Sequence, residues 1–164
     1  VNDAYLKIPG AAILYAADSH WIEYHIEKIR AKFRGELWTQ AADAARQFGA
    51  KWIPGVHESG LSTDPRMIHF GGNSGYQAIN LAFLLGARRI LLLGFDMGYG
   101  KSGKRHFFGD HPGGMNVPSP FPDFINSFRS VAAQAPDLGL EIVNCSRETA
   151  LDCFPRAPIE RYFQ

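Results

Sequence analysis

The segment KRHFFGDHPGG, residues 104–114, brings His106, Asp110 and His111 close together in sequence, with Asp96 and Tyr99 just upstream in GFDMGYG. An imidazole beside a carboxylate can take a proton from a hydroxyl near neutral pH, because the carboxylate orients the ring and favours its charged form. His111 and His106 are therefore candidate general bases, and surface hydrogen bonding is the ordinary alternative for loop histidines. Asp96 and Tyr99 complete the candidate catalytic group. A metal site from His106, Asp110 and His111 would be a further use of the same side chains, and no metal is assigned to them.

A second chemistry-bearing stretch is HFGGNSG, residues 69–75, in which glycines run directly into an apolar helical pattern. The first amides of a helix lack intrahelical acceptors and lie at the positive end of its dipole, so such a turn favours an anion, above all a phosphate. Gly72, Asn73, Ser74 and Gly75 are the candidate nucleotide-binding residues. The competing reading is that the glycines only permit a tight strand-to-helix turn. Asn73, Gln77 and Asn80 fall at i, i+4 and i+7, a polar stripe expected to face solvent, with the lining of a cleft as the alternative.

Three familiar motifs fail on a physical requirement. GYGKSG, residues 98–103, has the letters of a dinucleotide fingerprint but no helix start after it. GKS, residues 100–102, lacks the first glycine of a phosphate-binding P-loop, since that position is Phe95. GNSGY lacks the second glycine of a hydrolase nucleophile elbow, because Tyr76 stands there, so Ser74 reads as a cap.

The elements that must position these residues alternate between strand and helix. AAILYAAD reads as a buried strand, and WIEYHIEKIRAKF as a helix burying Trp21, Tyr24, Ile29 and Phe33. ELWTQ and KWIPG read as short strands around the helical turn AADAARQF. Turn composition makes ESGLSTDPR, Glu58 to Arg66, a surface loop. MIHF is a strand, and the helix from Ser74 to Leu85 is capped by Asn73 or Ser74 and stopped at Gly86. RRILLLGF has no alternation, as expected of a strand covered on both faces. A long loop from Asp96 to Pro122 precedes the helix DFINSFRSVAAQA and the strand LEIVNC. The fold class is α/β with a mostly parallel sheet, and ligands of such sheets bind beyond the carboxyl ends of the strands.

With 164 residues, 46% of them hydrophobic and 13% aromatic, the chain suffices for the core of one domain, residues 1–164. Its 17 Lys and Arg against 16 Asp and Glu give a formal net charge of +1, which provides no general field for nucleic acid or an anionic membrane. Cys145 and Cys153 match neither a redox nor a zinc spacing, and the apolar runs are too short for a membrane span, so a cytoplasmic protein is expected. Val1-Asn2-Asp3 reads as a strand end running into a loop, which suggests a piece of a longer chain.

GGNSGYQAINLAFLLGARRILLLGFDMGYG, then RHFFGDHP, then a helix and LEIVNCSRETALDCFP, together resemble phage and bacterial proteins related to two families: the CMP-sialic-acid-dependent sialyltransferases and the 6-hydroxymethylpterin diphosphokinase-like proteins. The resemblance implies a Rossmann-like three-layer sandwich lacking its first βα unit, roughly 30 residues. It implies that Asn2 and Asp18 edge a nucleotide pocket, Ser74 and Gly75 contact the nucleotide, Tyr99 bonds the leaving phosphate, and His111 is the base. Lys101, Lys104 or Arg105 would supplement Tyr99. The chain departs from the sialyltransferase pattern in lacking a second phosphate-binding tyrosine and in placing Asp110 beside the histidine.

The reading that follows is an inverting, metal-independent, nucleotide-sugar-dependent glycosyltransferase-like domain. It would take a CMP- or UDP-linked donor and a small-molecule or glycan acceptor, in the host cytoplasm if phage-encoded. The first alternative is an ATP-dependent diphosphokinase in which Asp96 and Asp110 hold magnesium. The second is a non-catalytic nucleotide-binding or viral assembly module.

Overall fold

The computed structural model of the protein describes residues 1–98 and 119–163. The described residues form an α/β structure with four α-helices and short strands, and every strand pair among them is parallel. They cluster into two compact units that divide between Leu84 and Leu85.

In the first unit, β1 (Ile13–Tyr15), α1 (Ser19–Lys32), β2 (Glu36–Thr39), α2 (Ala42–Phe48) and β3 (Lys51–Trp52) follow one another as strand and crossover helix. The sheet order is β1-β2-β3, with Ile13 opposite Glu36 and Trp38 opposite Lys51. Asp18 starts α1, its carboxylate accepting from the amides of His20 at 2.8 Å and Trp21 at 3.1 Å, two donors with no intrahelical acceptor. Trp21, Ile22, Ile26, Ile29 and Phe33 are buried, whereas Tyr24 is 61% exposed, so the apolar face expected of this helix is corrected at that position. Tyr24 follows Trp21 by three residues, but the buried stripe runs on through His25 to Ile26, leaving Tyr24 on its flank.

The expected strand end at Val1-Asn2-Asp3 is instead a 3-10 turn, Asn2–Leu6, packed on α1 and β1. It buries Asp3 and Tyr5 beside His25, whose Nδ1 lies 3.9 Å from the Asp3 carboxylate and 3.4 Å from the Tyr5 hydroxyl, with the Trp21 ring stacked on the imidazole.

KWIPG was expected to be one strand, and the structure divides it at a proline. Lys51–Trp52 pairs with β2, and β4 (Gly55–Val56) pairs with β5 (Ile68–His69). Between them the Ile53 amide still donates to Thr39, and the Pro54 carbonyl already accepts from Ile68. Proline has no amide hydrogen, so the ladder cannot run through it unbroken. Ile53 turns inward with Tyr15, Ile68 and Leu81 to form a buried cluster under α3 (Ser74–Leu84).

The polar stripe of α3 does not face solvent. Asn80 has no exposed surface and Gln77 is buried, because both carboxamides are consumed by neighbouring backbone. Asn80 Oδ1 accepts from the amides of Ser62 and His69, each at 2.9 Å, and its Nδ2 donates to the Ser62 carbonyl at 3.0 Å. Gln77 Nε2 donates to the Phe70 carbonyl at 3.0 Å, while its Oε1 accepts from the Tyr15 hydroxyl at 2.8 Å. Burial pushes the Tyr15 phenol well up, so it stays protonated and able to donate. The same bonds correct the reading of Glu58 to Arg66 as a surface loop. Its middle, Gly60 to Ser62, is buried against α3.

In the second unit, β6 (Arg89–Leu92) pairs with β7 (Glu141–Asn144) in register from Arg89 opposite Glu141 to Leu92 opposite Asn144. The β6 strand is covered less than its composition suggests, since Arg89 is exposed and Leu92 alone is buried. The helix α4 (Phe121–Gln134) buries Phe128 between the rings of Phe95 and Phe154, both met edge-on at 5.9 and 6.2 Å. A 3-10 turn, Ile159–Tyr162, closes the described chain.

Replacing Asn80 with Ala strands two backbone amides and a carbonyl in a buried setting, at about 1–3 kcal/mol for each group left without a partner. The expected outcome is a loss of about 3 kcal/mol or more, seen as a lower urea midpoint at unchanged m-value.

Candidate functional site

The described residues offer two strand-end sites, one in each unit. The first is the turn between β5 and α3. Gly71 and Gly72 have φ of +52° and +82°, the left-handed region that L side chains rarely enter. A Cβ on Gly71 would also collide with the ring of Tyr76, so this position requires glycine twice over.

Asn73 then caps the helix, its Oδ1 accepting from the Tyr76 amide at 2.9 Å while its carbonyl accepts from Gln77 at 3.2 Å. Of the four leading amides, those of Ser74 and Gly75 have no acceptor within the helix and point along its positive end. Gln77 fixes the position of this turn through the Phe70 carbonyl. Gly72, Asn73, Ser74 and Gly75 are therefore brought together at the carboxyl end of a parallel strand, where an anion would be received. Asp18 lies beyond the end of β1 and is engaged as the cap of α1, and Asn2 sits in the 3-10 turn with φ +48°.

The second site is at the carboxyl ends of β6 and β7. Two hydroxyls of the segment after β7 clamp the peptide groups of Phe95. Ser146 Oγ accepts from its amide at 2.8 Å, and Thr149 Oγ1 donates to its carbonyl at 2.6 Å. The Ala150 amide donates to the Asp96 carbonyl at 2.8 Å, so the backbone that carries the Asp96 side chain is held on three sides.

Asn144, fully buried, rigidifies the clamp by donating to Thr149 Oγ1 and accepting from the Ser146 amide. A cleft of about 920 Å³ opens here, lined by Asp96, Ser146, Arg147, Glu148, Arg156 and Ile159 among others. Partial burial, and after it the charge of Glu148, push the Asp96 carboxyl above the usual carboxylate range. Arg156 reaches back through Nη2 to the carbonyls of Ser146 and Arg147 at 3.3 and 3.0 Å, steadying the far wall. Burial and Glu160 likewise raise the Cys145 thiol, which argues against a thiolate nucleophile in this cleft.

Tyr99, His106, Asp110 and His111, together with Lys101, Lys104 and Arg105, lie outside the described residues. Among the described residues no group of three or more His, Cys, Asp or Glu is arranged to hold a metal ion. No helix among them is long and apolar enough to cross a membrane. The sequence offers no sign of Glu148 as the partner of Asp96. Its signal is the polar run NCSRET after a strand, where hydroxyls two to five residues past the last paired position can bond the neighbouring strand end.

No family model, no curated protein and no solved structure matches the chain.

A carboxyl raised in the folded state stabilises the protein while protonated, and that contribution is lost as pH rises through its folded value. Asp96→Asn should therefore gain in melting temperature relative to the parent as pH climbs from about 4 to 7, the range above the ordinary Asp value. Glu148→Gln should lower the Asp96 titration midpoint, read from its side-chain carboxyl carbon by NMR.

Proposed function

We propose that the protein is a nucleotide-sugar-dependent glycosyltransferase domain of Rossmann-like, three-layer architecture, inverting and metal-independent, acting in the cytoplasm. The observation that carries this reading is the β5 to α3 turn, with two left-handed glycines and a side-chain cap on the third helical residue, which leaves the first helical amides, those of Ser74 and Gly75, without intrahelical acceptors beyond a parallel strand. A phosphate of a CMP- or UDP-linked donor fits that turn by charge and by its free donors.

In such a transfer the acceptor hydroxyl attacks the anomeric carbon as the bond to the nucleotide phosphate breaks. A base takes the hydroxyl proton, and hydrogen-bond donors take up the charge on the departing phosphate. The Ser74 and Gly75 amides and Tyr99 serve as those donors, His111 as the base, and Asn2 and Asp18 as the edge of the nucleotide pocket. Asp96, whose carboxyl is raised, is a second proton acceptor beyond the end of β6, and His106 precedes His111 by five residues in the sequence.

A second reading, the ATP-dependent diphosphokinase, is favoured by the pairing of Asp96 with Glu148 across the β6 to β7 cleft. Carboxylate oxygens fit a magnesium ion, which takes one or two of them with substrate phosphates. In that reading Asp96, Asp110 and Glu148 would hold the ion, and the ion would offset phosphate charge.

A thermal-shift panel of CMP, UDP, GDP and ATP, with and without magnesium, separates the two. A ligand at ~100 times its Kd stabilises the fold by about 2.7 kcal/mol. CMP or UDP should raise Tm by several degrees without metal. Ser74→Pro deletes one phosphate-facing amide at a position where helices accept proline, and should abolish the shift while leaving the unliganded Tm close to the parent. Stabilisation by ATP only with magnesium would replace this reading with the diphosphokinase.

A further inference from the structure

Arg156 is held by both its backbone and its side chain, yet no anion balances its charge. Its backbone forms a parallel bridge with Asn144, the last residue of β7, and the Asn144 amide donates to the neighbouring Pro155 carbonyl at 2.8 Å. Its Nη2 donates to the carbonyls of Ser146 and Arg147. Carbonyls are neutral, so these bonds fix the guanidinium and leave its charge uncompensated. Among the described residues no carboxylate pairs with Arg156, nor with Arg147, which lines the same cleft, and the N–H groups on Nε and Nη1 of Arg156 have no acceptor. A guanidinium keeps its proton at any ordinary pH and matches carboxylate and phosphate oxygens in shape, so one that is fixed and unbalanced is suited to receive an oxyanion.

A second donor lines the cleft. Ser146 is only 6% exposed. Its Oγ accepts from the Phe95 amide at 2.8 Å, and its hydroxyl hydrogen has no acceptor among the described residues. A buried hydroxyl that accepts one bond still has a hydrogen to donate, and leaving it unused costs stability.

Acidic side chains line the cleft too, namely Asp96, Glu148 and Glu160, and none of them forms an ion pair with either arginine. Partial burial first, and Glu148 second, push the Asp96 carboxyl up, and neither guanidinium offsets that push. The acids and the arginines thus occupy separate parts of the cleft. Part of the remaining wall is apolar and includes Ile159 and Leu93, the latter 52% exposed. An exposed leucine in a cleft with a fixed charge fits a molecule that has an apolar body and an anionic end.

We propose that the β6 to β7 cleft is a receptor for a small organic oxyanion, a carboxylate or a phosphate monoester, with its charged end on Arg156 and Ser146 and its apolar body against Leu93 and Ile159. Arg147 adds a second unbalanced positive charge. The site lies wholly within the second unit and needs no metal. It therefore depends neither on the nucleotide reading of the β5 to α3 turn nor on the magnesium of the diphosphokinase reading.

The test is an NMR titration of the whole chain in EDTA at fixed ionic strength. The probes are phenyl phosphate and benzoate, each compared with its counterpart lacking the ring, inorganic phosphate or acetate. Saturable shifts are expected at the Arg156 Nε–H and at the Ser146 and Phe95 amides, with the aromatic probe binding more tightly than its counterpart. The tighter of phenyl phosphate and benzoate assigns the anion as a phosphate ester or a carboxylate. Arg156→Gln should weaken binding by about tenfold, and Leu93→Ser, at an exposed position, by about threefold. The proposal is overturned if neither aromatic probe gives a saturable response, if the response needs magnesium, or if affinity survives either substitution unchanged. Should Arg156→Gln not fold, Leu93→Ser decides alone. The Ser74 and Gly75 amides report the first-unit turn in the same spectra, so failure of the glycosyltransferase reading and failure of this site are separately visible.

Discussion

Buried backbone groups must find partners, and in the first unit two short strands cannot supply them. The β5 strand is two residues long, so the chain around it would leave amides and carbonyls stranded in a hydrophobic setting if side chains did not take over. Gln77 and Asn80 do so from α3. Asn80 satisfies three backbone groups, two on Ser62 and one on His69, and Gln77 joins the Tyr15 phenol to the Phe70 carbonyl. The path of the connection before β5, the seat of His69 and the departure of the glycine turn all follow from those two carboxamides. A helix that is apolar in composition thus carries its most constraining residues as polar ones.

The second unit solves a similar problem with hydroxyls. The strand β6 ends at Leu92, and the residues beyond it are pinned by Ser146 and Thr149 to the segment following β7. This brings Asp96 to face a cleft together with Glu148, where two like charges share a partly desolvated space. Each unit therefore offers chemistry at the carboxyl ends of parallel strands, with amide donors at one and carboxylate acceptors at the other.

The features legible in the sequence were those decided by neighbours a few residues away. The helix start at Asn73 was readable because capping and glycine conformation are local. The β6 and β7 strands were readable from runs of branched and apolar residues. What could not be read depended on residues distant in the chain. Asn80 looks like a solvent-facing residue until the backbone of Ser62 and His69 is placed against it, and the turn-like ESGLS looks exposed until α3 covers it. Tyr24 shows the converse, an aromatic at nearly the right spacing that the packing leaves outside. The pairing of Asp96 with Glu148 joins two strand ends that only the β6 to β7 register brings together.

The proline at the centre of KWIPGV has a consequence for how the first unit finds its alignment. The residues on either side of Pro54 belong to different strand pairs, and each pair is only two residues long on that strand, so the hydrogen bonds alone specify register weakly. A shift of one residue would bring the hydrogen-free nitrogen of Pro54 opposite the Thr39 carbonyl and would carry Ile53 from the core to the surface. Pro54 thus works as an index mark. It makes the misalignment on its own side self-defeating, and one short extended stretch serves two parallel ladders, β2 with β3 and β4 with β5.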